Sequence, residues 1–151
     1  MKTCRLETQV WLPQPRDLVF KFFANPHNLE RLTPAWLHLE FLTPLATEIR
    51  RGTRLDYRLR IRGIPLRWQS EIVSREPPRA FVDRQTRGPY SLWLHQHTFS
   101  EINQGTLVGD RVEYAVPGGW IVQRFFVAPD LERIFHYRHR ALKELFNGRG
   151  Q

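Results

Sequence analysis

Trp93-Leu-His-Gln-His-Thr-Phe99 alternates its side-chain types with a period of two residues, which predicts a β-strand. Because alternate side chains of a strand point to opposite faces, His95 and His97 share a face with Trp93 and Phe99. Turn-forming residues follow at 102–105, and a second strand-like run spans residues 105–116. The two runs predict a β-hairpin, from which the neighbouring strands can be placed outward.

Antiparallel pairing of these two runs collects polar groups on an aromatic face. If Ile102 faces Gly105 across the turn, the pattern predicts three further facing pairs. These pairs are His97 with Asp110, His95 with Val112, and Trp93 with Tyr114. One face of the hairpin is therefore expected to carry two histidines, one carboxylate and several large aromatic rings.

The composition is that of a globular chain with a surplus of aromatic side chains. Of the 151 residues, 41% are hydrophobic and 13% aromatic, which suffices to enclose a core or a cavity, so we expect residues 1–151 to form a single domain. Cys4 is the single cysteine, which excludes an intrachain disulfide and is typical of a reducing cytoplasm. We expect a cytoplasmic protein, because neither a signal peptide nor an apolar run of about 20 residues is found.

The other periodic segments complete a recognisable order. Alternating patterns predict further strands at residues 2–12, 37–43, 52–62, 66–76 and 80–87. Short helices are expected at residues 15–24 and 28–32, and a long C-terminal helix at residues 120–146, which Pro129 kinks or splits and Gly148 follows. This order predicts an α+β helix-grip fold: a curved seven-stranded antiparallel sheet around a long C-terminal helix, with two short helices after the first strand.

Pairing of the other predicted strands extends the inner face of the sheet. The expected facing pairs are Ile61–Leu66, Leu59–Trp68, Tyr57–Ser70, Ser74–Phe81, Ile72–Asp83, Ser70–Gln85 and Asp83–His95. Because a slip by one residue would move every side chain to the other face, the agreement between the hairpins supports this assignment of faces.

Several motifs resemble a known superfamily. Pro15-Arg-Asp-Leu-Val-Phe-Lys-Phe-Phe and Asn25-Pro-His-Asn-Leu-Glu-Arg-Leu-Thr-Pro34 resemble the start of the SRPBCC (START, Bet v 1, polyketide cyclase) superfamily. Residues 81–90, 93–99 and 110–114 resemble a bacterial cell-division-inhibitor-like branch of it. The resemblance implies a cavity between the sheet and the long helix that binds an apolar or aromatic small molecule.

The inner face supplies candidate ligand contacts. Large aromatic rings would give contact area to a planar or apolar ligand, and a few polar groups would orient it. The expected aromatic contacts are Tyr57, Trp68, Trp93, Phe99 and Tyr114. The expected polar contacts are Asp83, Gln85 and His95, beside His97 and Asp110. A plain aromatic core is the alternative interpretation of the same rings.

His97 and Asp110 are the candidate catalytic residues. Asp110 would orient His97 and raise its pKa, which would make His97 a general base for a cyclase or dehydratase. Two histidines and a facing carboxylate are also ligand types of a divalent metal site. A hydrogen-bonded network in a cavity wall is the third interpretation, because buried polar groups need partners in any case. We expect neither a metal nor a cofactor.

The net charge of +8 is concentrated in arginines. Those on the predicted outer face of the sheet are Arg54, Arg58, Arg60, Arg62, Arg67 and Arg84. They indicate a solvated face rather than a nucleic-acid site, because no stacking aromatics interleave with them and no nucleic-acid motif is present. A domain that binds an acidic protein partner through this face is a third functional hypothesis, and the sequence leaves the oligomeric state open.

The C-terminal region carries further polar and aromatic candidates. Arg138 falls on the inner stripe of the long helix, where it can reach an inner-face carboxylate. The outer side of that helix is expected to hold His136, His139 and Arg140. A lid region at its start is expected to hold Trp120, Phe125 and Phe126.

Overall fold

The computed structural model describes residues 2–147 and contains a seven-stranded antiparallel sheet. Its strands are β1 (Cys4–Leu12), β2 (Glu40–Phe41), β3 (Arg54–Ile61), β4 (Ile64–Glu76), β5 (Ala80–Arg87), β6 (Leu92–Ile102) and β7 (Gly105–Ala115). In space they follow the order β1-β7-β6-β5-β4-β3-β2, so each neighbouring pair except β1–β7 is also consecutive along the chain.

Helical segments follow β1 and β7. They are α1 (Arg16–Ala24), two 3₁₀ segments (Pro26–Leu32 and Ala35–Leu37), α2 (Gly119–Val122), a π-helical turn (Gln123–Val127) and α3 (Ala128–Asn147). The curved sheet and the long α3 confirm the predicted α+β helix-grip fold. Within the described residues, no helix combines the length and the apolar character needed to cross a membrane.

The β6–β7 hairpin has the predicted register. The facing pairs are Trp93–Tyr114, His95–Val112, His97–Asp110 and Ile102–Gly105. Asp83 of β5 faces His95, also as predicted. The central strands of the sheet therefore present the expected side chains to its inner face.

Two other registers differ from the prediction. In β3–β4, Tyr57 faces Trp68 and Leu59 faces Leu66, a shift of two residues from the expected pairs. The cause is a two-residue turn at Arg62 and Gly63, whose φ angles are 53° and 81° and which closes the hairpin earlier than the predicted longer loop. Because the shift is even, Tyr57 and Trp68 keep their predicted face.

The β4–β5 pairing agrees only in part. Ile72 faces Asp83 and Ser70 faces Gln85 as predicted, but Ser74 faces Val82 instead of Phe81. An irregularity between Ile72 and Ser74 inserts an extra residue into β4, which displaces the pairing beyond that point.

Residues 37–43 form much less strand than predicted. The 3₁₀ segment Ala35–Leu37 occupies the start, and only Glu40–Phe41 pairs with β3. His38 has a φ of 49°, a left-handed conformation that ends the 3₁₀ segment and interrupts extended backbone.

The C-terminal helix carries one buried stripe. Leu131, Phe135, Arg138 and Leu142 are buried, which matches the spacing of one helix face. Pro129 lies in the first turn of α3, where its missing N–H is tolerated, and the π-helical turn directly precedes it. The helical region therefore continues through Pro129, and its irregular part is the π-helical turn at Gln123–Val127 rather than the predicted kink or split at Pro129. Gly148 lies outside the described residues.

The interior divides into a close-packed core and an aromatic wall. The core includes Phe20, Phe81, Phe99, Val108 and Leu142, which join α1, the sheet and the distal half of α3. Phe99 is only 1% exposed, and its ring meets that of Phe20 edge-on at 5.3 Å. The aromatic wall consists of Tyr57, Trp68, Tyr90 and Trp93, and it lies beside this core.

Phe99→Ala should lower the free energy of unfolding by about 4 kcal/mol, because it removes a buried ring and leaves a cavity. Phe125→Ala is the matched control, since the Phe125 side chain is 57% exposed, and it should change stability by less than about 0.5 kcal/mol. Urea denaturation followed by circular dichroism measures both. Equal effects of the two substitutions would contradict this placement of Phe99.

Candidate functional site

A cavity of about 200 Å³ lies between the inner face of the sheet and α3. The sheet contributes its aromatic wall, and α3 contributes Leu131 and Phe135. The 3₁₀ segment Pro26–Leu32 contributes Leu29 and Leu32, which sequence reasoning missed because no periodic signal pointed that short segment inward.

Six of the ten predicted site residues line this cavity: Tyr57, Trp68, Asp83, Trp93, His95 and His97. Four do not: Gln85, Phe99, Asp110 and Tyr114. Phe99 belongs to the close-packed core and does not line the cavity in which a ligand contact was predicted for it. Tyr114 is only 3% exposed and packs behind Trp93, with the two ring centroids 6.4 Å apart.

The side chain of Gln85 bonds to the loop before β6 and does not line the cavity. Its Nε2 donates to the Tyr90 carbonyl at 2.7 Å, and the Tyr90 backbone N–H donates to its Oε1 at 3.1 Å. These two hydrogen bonds use the amide, and Gln85 does not line the cavity in which it was predicted to orient a ligand. They also position Tyr90, a lining residue that the sequence patterns did not single out as a ligand contact.

The aromatic wall consists of rings that contact one another. Tyr57 and Trp68 stack across β3–β4 with centroids 6.2 Å apart, and Trp68 meets Trp93 edge-on at 5.2 Å. Tyr90 packs against Trp93 at 4.8 Å. Trp68 Nε1 donates to Ser70 Oγ at 2.9 Å, which satisfies the buried indole N–H. Burial raises the pKa of Tyr57 and Tyr90, so both hydroxyls stay neutral.

Two histidine–carboxylate pairs form the polar part of the site. His95 Nε2 lies 2.7 Å from Asp110 Oδ1, and His97 Nε2 lies 2.7 Å from Asp83 Oδ2. Both hydrogen bonds run diagonally, since Asp110 faces His97 and Asp83 faces His95 in the backbone register. The imidazole rings stack at 3.7 Å, and Phe81 covers the other face of His97 at 4.1 Å.

The predicted partner of His97 is therefore wrong. Its Nδ1 lies 3.7 Å from Asp110 Oδ1, beyond hydrogen-bonding distance. Burial and the neighbouring His95 lower the pKa of His97 to about 4, although Asp83 and Asp110 act in the opposite direction. The expected increase in this pKa is wrong as well, because the ring is enclosed rather than exposed to water.

Both carboxylates are held ionised. Burial alone would raise the pKa of Asp110, but Arg138, His139 and His95 hold that pKa well below its ordinary value. Burial opposes ionisation of Asp83 too, yet its hydrogen bond with His97 lowers the pKa of that carboxyl. One buried negative charge, on Asp83, therefore lies in the wall of the cavity, and a second, on Asp110, lies behind that wall.

The long helix closes this network from the opposite side. Arg138 Nη2 lies 4.0 Å from Asp110 Oδ1, which confirms the predicted approach of Arg138 to an inner-face carboxylate. His139 Nε2 lies 3.2 Å from Thr8 Oγ1 and 3.9 Å from Asp110 Oδ2, so its predicted outward position is wrong. The reason is that β1 lies beside β7 and brings Thr8 to this side of α3. His136 and Arg140 are exposed, as predicted.

Three of these side chains have the composition of a metal site. Asp83, His95 and His97 each offer one ligand atom, and the three atoms lie within 4.8 Å of one another. Imidazole nitrogens and a carboxylate oxygen suit divalent transition metals.

Two predicted surface features lie away from the cavity wall. Several arginines of the outer face form ion pairs, such as Arg58 with Glu40 at 3.3 Å. Arg62 lies instead in the β3–β4 turn and pairs with Asp130 of α3 at 3.0 Å, so its predicted outer-face position is wrong. At the start of the C-terminal helical region, Trp120, Phe125 and Phe126 are 64%, 57% and 46% exposed.

Comparison with known proteins identifies the family. Residues 12–143, most of the chain, match the sequence family described as polyketide cyclase/dehydrase and lipid transport. The chain belongs to this family. Its membership of the SRPBCC superfamily is thereby confirmed, while the cell-division-inhibitor-like branch stays a prediction that no comparison tests. Among curated proteins, no sequence matches the chain significantly.

Solved structures share the fold of this polyketide cyclase/dehydrase family member. The Zhui aromatase/cyclase from Streptomyces sp. R1128 is 17% identical and aligns over 99% of this chain and 97% of its own, with a TM-score of 0.75. A protein from Thermus thermophilus is 17% identical over 98% and 100% of the two chains, with a TM-score of 0.74. Ginseng major latex-like protein 151 from Panax ginseng is 14% identical over 95% and 97%, with a TM-score of 0.71. At these identities the likeness establishes the fold.

Asp110→Asn should lower the free energy of unfolding by about 3 kcal/mol, because it removes the charge that compensates buried Arg138. Arg138→Met should also lower the free energy of unfolding. The decrease should be at least about 1 kcal/mol smaller in the Asp110→Asn variant than in the wild type, because the two side chains interact. Chemical denaturation of the four proteins measures this coupling.

Glu40→Gln is the control for Asp110→Asn. Glu40 and Arg58 form an ion pair whose side chains are 63% and 52% exposed, so the loss should stay below about 1 kcal/mol. Additive effects of Asp110→Asn and Arg138→Met would show that the buried network is not coupled as described.

Proposed function

We propose that the protein binds an apolar or aromatic small molecule in the cavity between the sheet and α3. The observation that carries this proposal is the lining itself: stacked aromatic rings and aliphatic side chains, with Asp83, His95 and His97 as a localised polar group. Pockets of this composition, mostly apolar with a few oriented polar groups, are typical of small-molecule sites.

The volume of the cavity limits the size of the ligand. At about 200 Å³ it is somewhat larger than the roughly 150 Å³ engineered cavity known to accept benzene. It is smaller than the approximately 300–1,000 Å³ of most drug-sized sites. We infer a ligand of about two fused rings, with larger ligands requiring movement of the surrounding segments.

The polar group sets the orientation of the ligand. Asp83 has the most accessible side chain of the polar group, 17% exposed against 7% for His95 and 6% for His97. An ionised carboxylate only accepts hydrogen bonds, so the ligand is expected to present a hydroxyl or N–H to it. A phenol-like molecule combines that donor with a flat ring for the aromatic wall.

A cyclase or dehydratase that uses His97 is the second candidate function. The observation in its favour is the His97–Asp83 pair at 2.7 Å in the cavity wall. The family description includes cyclases, dehydrases and lipid transport, so membership supports either function. A base whose pKa is about 4 is weak near neutral pH, which favours ligand binding over proton abstraction.

A domain that only binds a protein partner is the third hypothesis. Such a domain would need no open cavity, and a close-packed interior would have favoured it. The open space beside Trp68 and Trp93 supports the ligand-binding proposal instead.

2-Naphthol is a suitable probe for the proposed site, and isothermal titration calorimetry in EDTA should show one bound molecule per chain. Leu29→Trp places a larger side chain in the cavity and should weaken this binding at least 10-fold. Leu18→Trp is the matched control, because Leu18 is 47% exposed on α1, and it should leave the affinity unchanged.

The comparison between 2-naphthol and 2-methylnaphthalene tests the polar contact, and the hydroxyl compound should bind more tightly. Unchanged affinity in Leu29→Trp, or no binding of either probe to the wild type, would contradict the proposal.

A further inference from the structure

We propose that Asp83, His95 and His97 bind a divalent first-row transition-metal ion in the wall of the cavity. This inference goes beyond the proposed binding of an apolar ligand, although it uses the same polar group that would orient that ligand. The three side chains lie together within the described residues, on β5 and β6, and all three line the cavity.

The donor set suits such an ion. Two imidazole nitrogens and one carboxylate oxygen are the protein ligands of many zinc and iron(II) sites, which keep further coordination positions open. One ligand atom from each side chain lies within 4.8 Å of the other two. The 2.7 Å contact between Asp83 Oδ2 and His97 Nε2 would open to admit an ion at about 2.0–2.2 Å from each atom.

His95 already has the hydrogen bond that a metal-binding histidine needs. Its Nε2 lies 2.7 Å from ionised Asp110, so the proton of a neutral ring stays on Nε2. That arrangement leaves a lone pair on Nδ1. Histidines that bind metals commonly donate their other N–H to a carboxylate in this way, which fixes the tautomer and the ring orientation.

His97 supplies the second, independent observation. Its Nδ1 is buried and has no hydrogen-bond partner among the described residues. When Nε2–H donates to Asp83, Nδ1 keeps only a lone pair, which lies 3.7 Å from the Asp110 carboxylate oxygen. A buried acceptor in that position is unfavourable, and such orphaned groups in folded proteins call for an explanation.

A metal ion between Asp83 and His97 removes this conflict. With the ion on Nε2, the proton of the neutral ring lies on Nδ1 and faces Asp110. Asp110 then serves as the shared outer carboxylate of both histidines, once side-chain movement brings His97 Nδ1 from 3.7 Å to within hydrogen-bonding distance of Asp110 Oδ1. The unpartnered atom of His97 thereby becomes a donor that faces an acceptor.

The charged side chains around the site also favour a bound cation. Arg138 Nη2 lies 4.0 Å from Asp110 Oδ1, whereas the cavity-lining Asp83 is hydrogen-bonded to His97 and has no arginine or lysine ion pair among the described residues. Buried charges are costly unless they are paired, and a cation beside Asp83 supplies the missing compensation.

Calorimetric titration of tag-free, EDTA-dialysed protein with Zn²⁺ tests the proposal, and one equivalent should bind. Asp83→Asn and His95→Gln should each weaken binding at least about 100-fold, because even outer partners of metal ligands contribute about 10–100-fold. His136→Gln is the matched control, since His136 is exposed on α3, and it should bind as the wild type does.

A measurement on the wild-type protein tests the metal site even if the variants fail to fold. Nitrogen-15 NMR of the histidine side chains during Zn²⁺ addition should shift the ring nitrogens of His95 and His97, and leave those of His27 and His136 in place. No Zn²⁺ binding, equal affinity in Asp83→Asn and His95→Gln, or shifts confined to the exposed histidines would overturn the metal site. Since the 2-naphthol titration is run in EDTA, its result stands independently of this one.

Discussion

Two ionised carboxylates on the inner face of the sheet, Asp83 and Asp110, set the main constraint on this structure. A buried charge without partners would destabilise the fold, so the surrounding elements have to supply them. Strand β6 supplies His95 and His97 through diagonal hydrogen bonds, and α3 supplies Arg138 from the other side. These contacts couple the sheet to the long helix at the centre of the molecule.

The aromatic wall complements that polar group. Trp68, Trp93 and Tyr90 support one another through ring contacts, so their orientation does not depend on a ligand. A preformed apolar surface loses little side-chain entropy when a molecule binds. Within such a surface a partly accessible carboxylate adds selectivity, because an analogue without a hydrogen-bond donor leaves Asp83 with only its hydrogen bond to His97. For the proposed ligand-binding function, we infer a broad preference for flat apolar ligands with one specific polar requirement.

Much of the fold follows from the period-two patterns, but the site follows from them only in part. Alternation assigned His95, His97 and Trp93 to one face, and facing pairs in β6–β7 followed from the turn residues. The β3–β4 register depended on positive φ angles at Arg62 and Gly63, and an arginine gives no signal for that conformation. The choice of Asp83 over Asp110 as the partner of His97 depends on side-chain reach across the sheet, which strand pairing leaves open. The lining from Leu29 and Leu32 depends on tertiary packing of a short 3₁₀ segment.

The central claim is that the cavity holds a small apolar or aromatic molecule. Native mass spectrometry of the protein purified from its own host, followed by denaturing extraction, tests this most directly. The account predicts one small aromatic molecule per chain in the wild type, released on denaturation and absent from Leu29→Trp. A wild-type mass without any adduct, or the same molecule retained equally by Leu29→Trp, would contradict it.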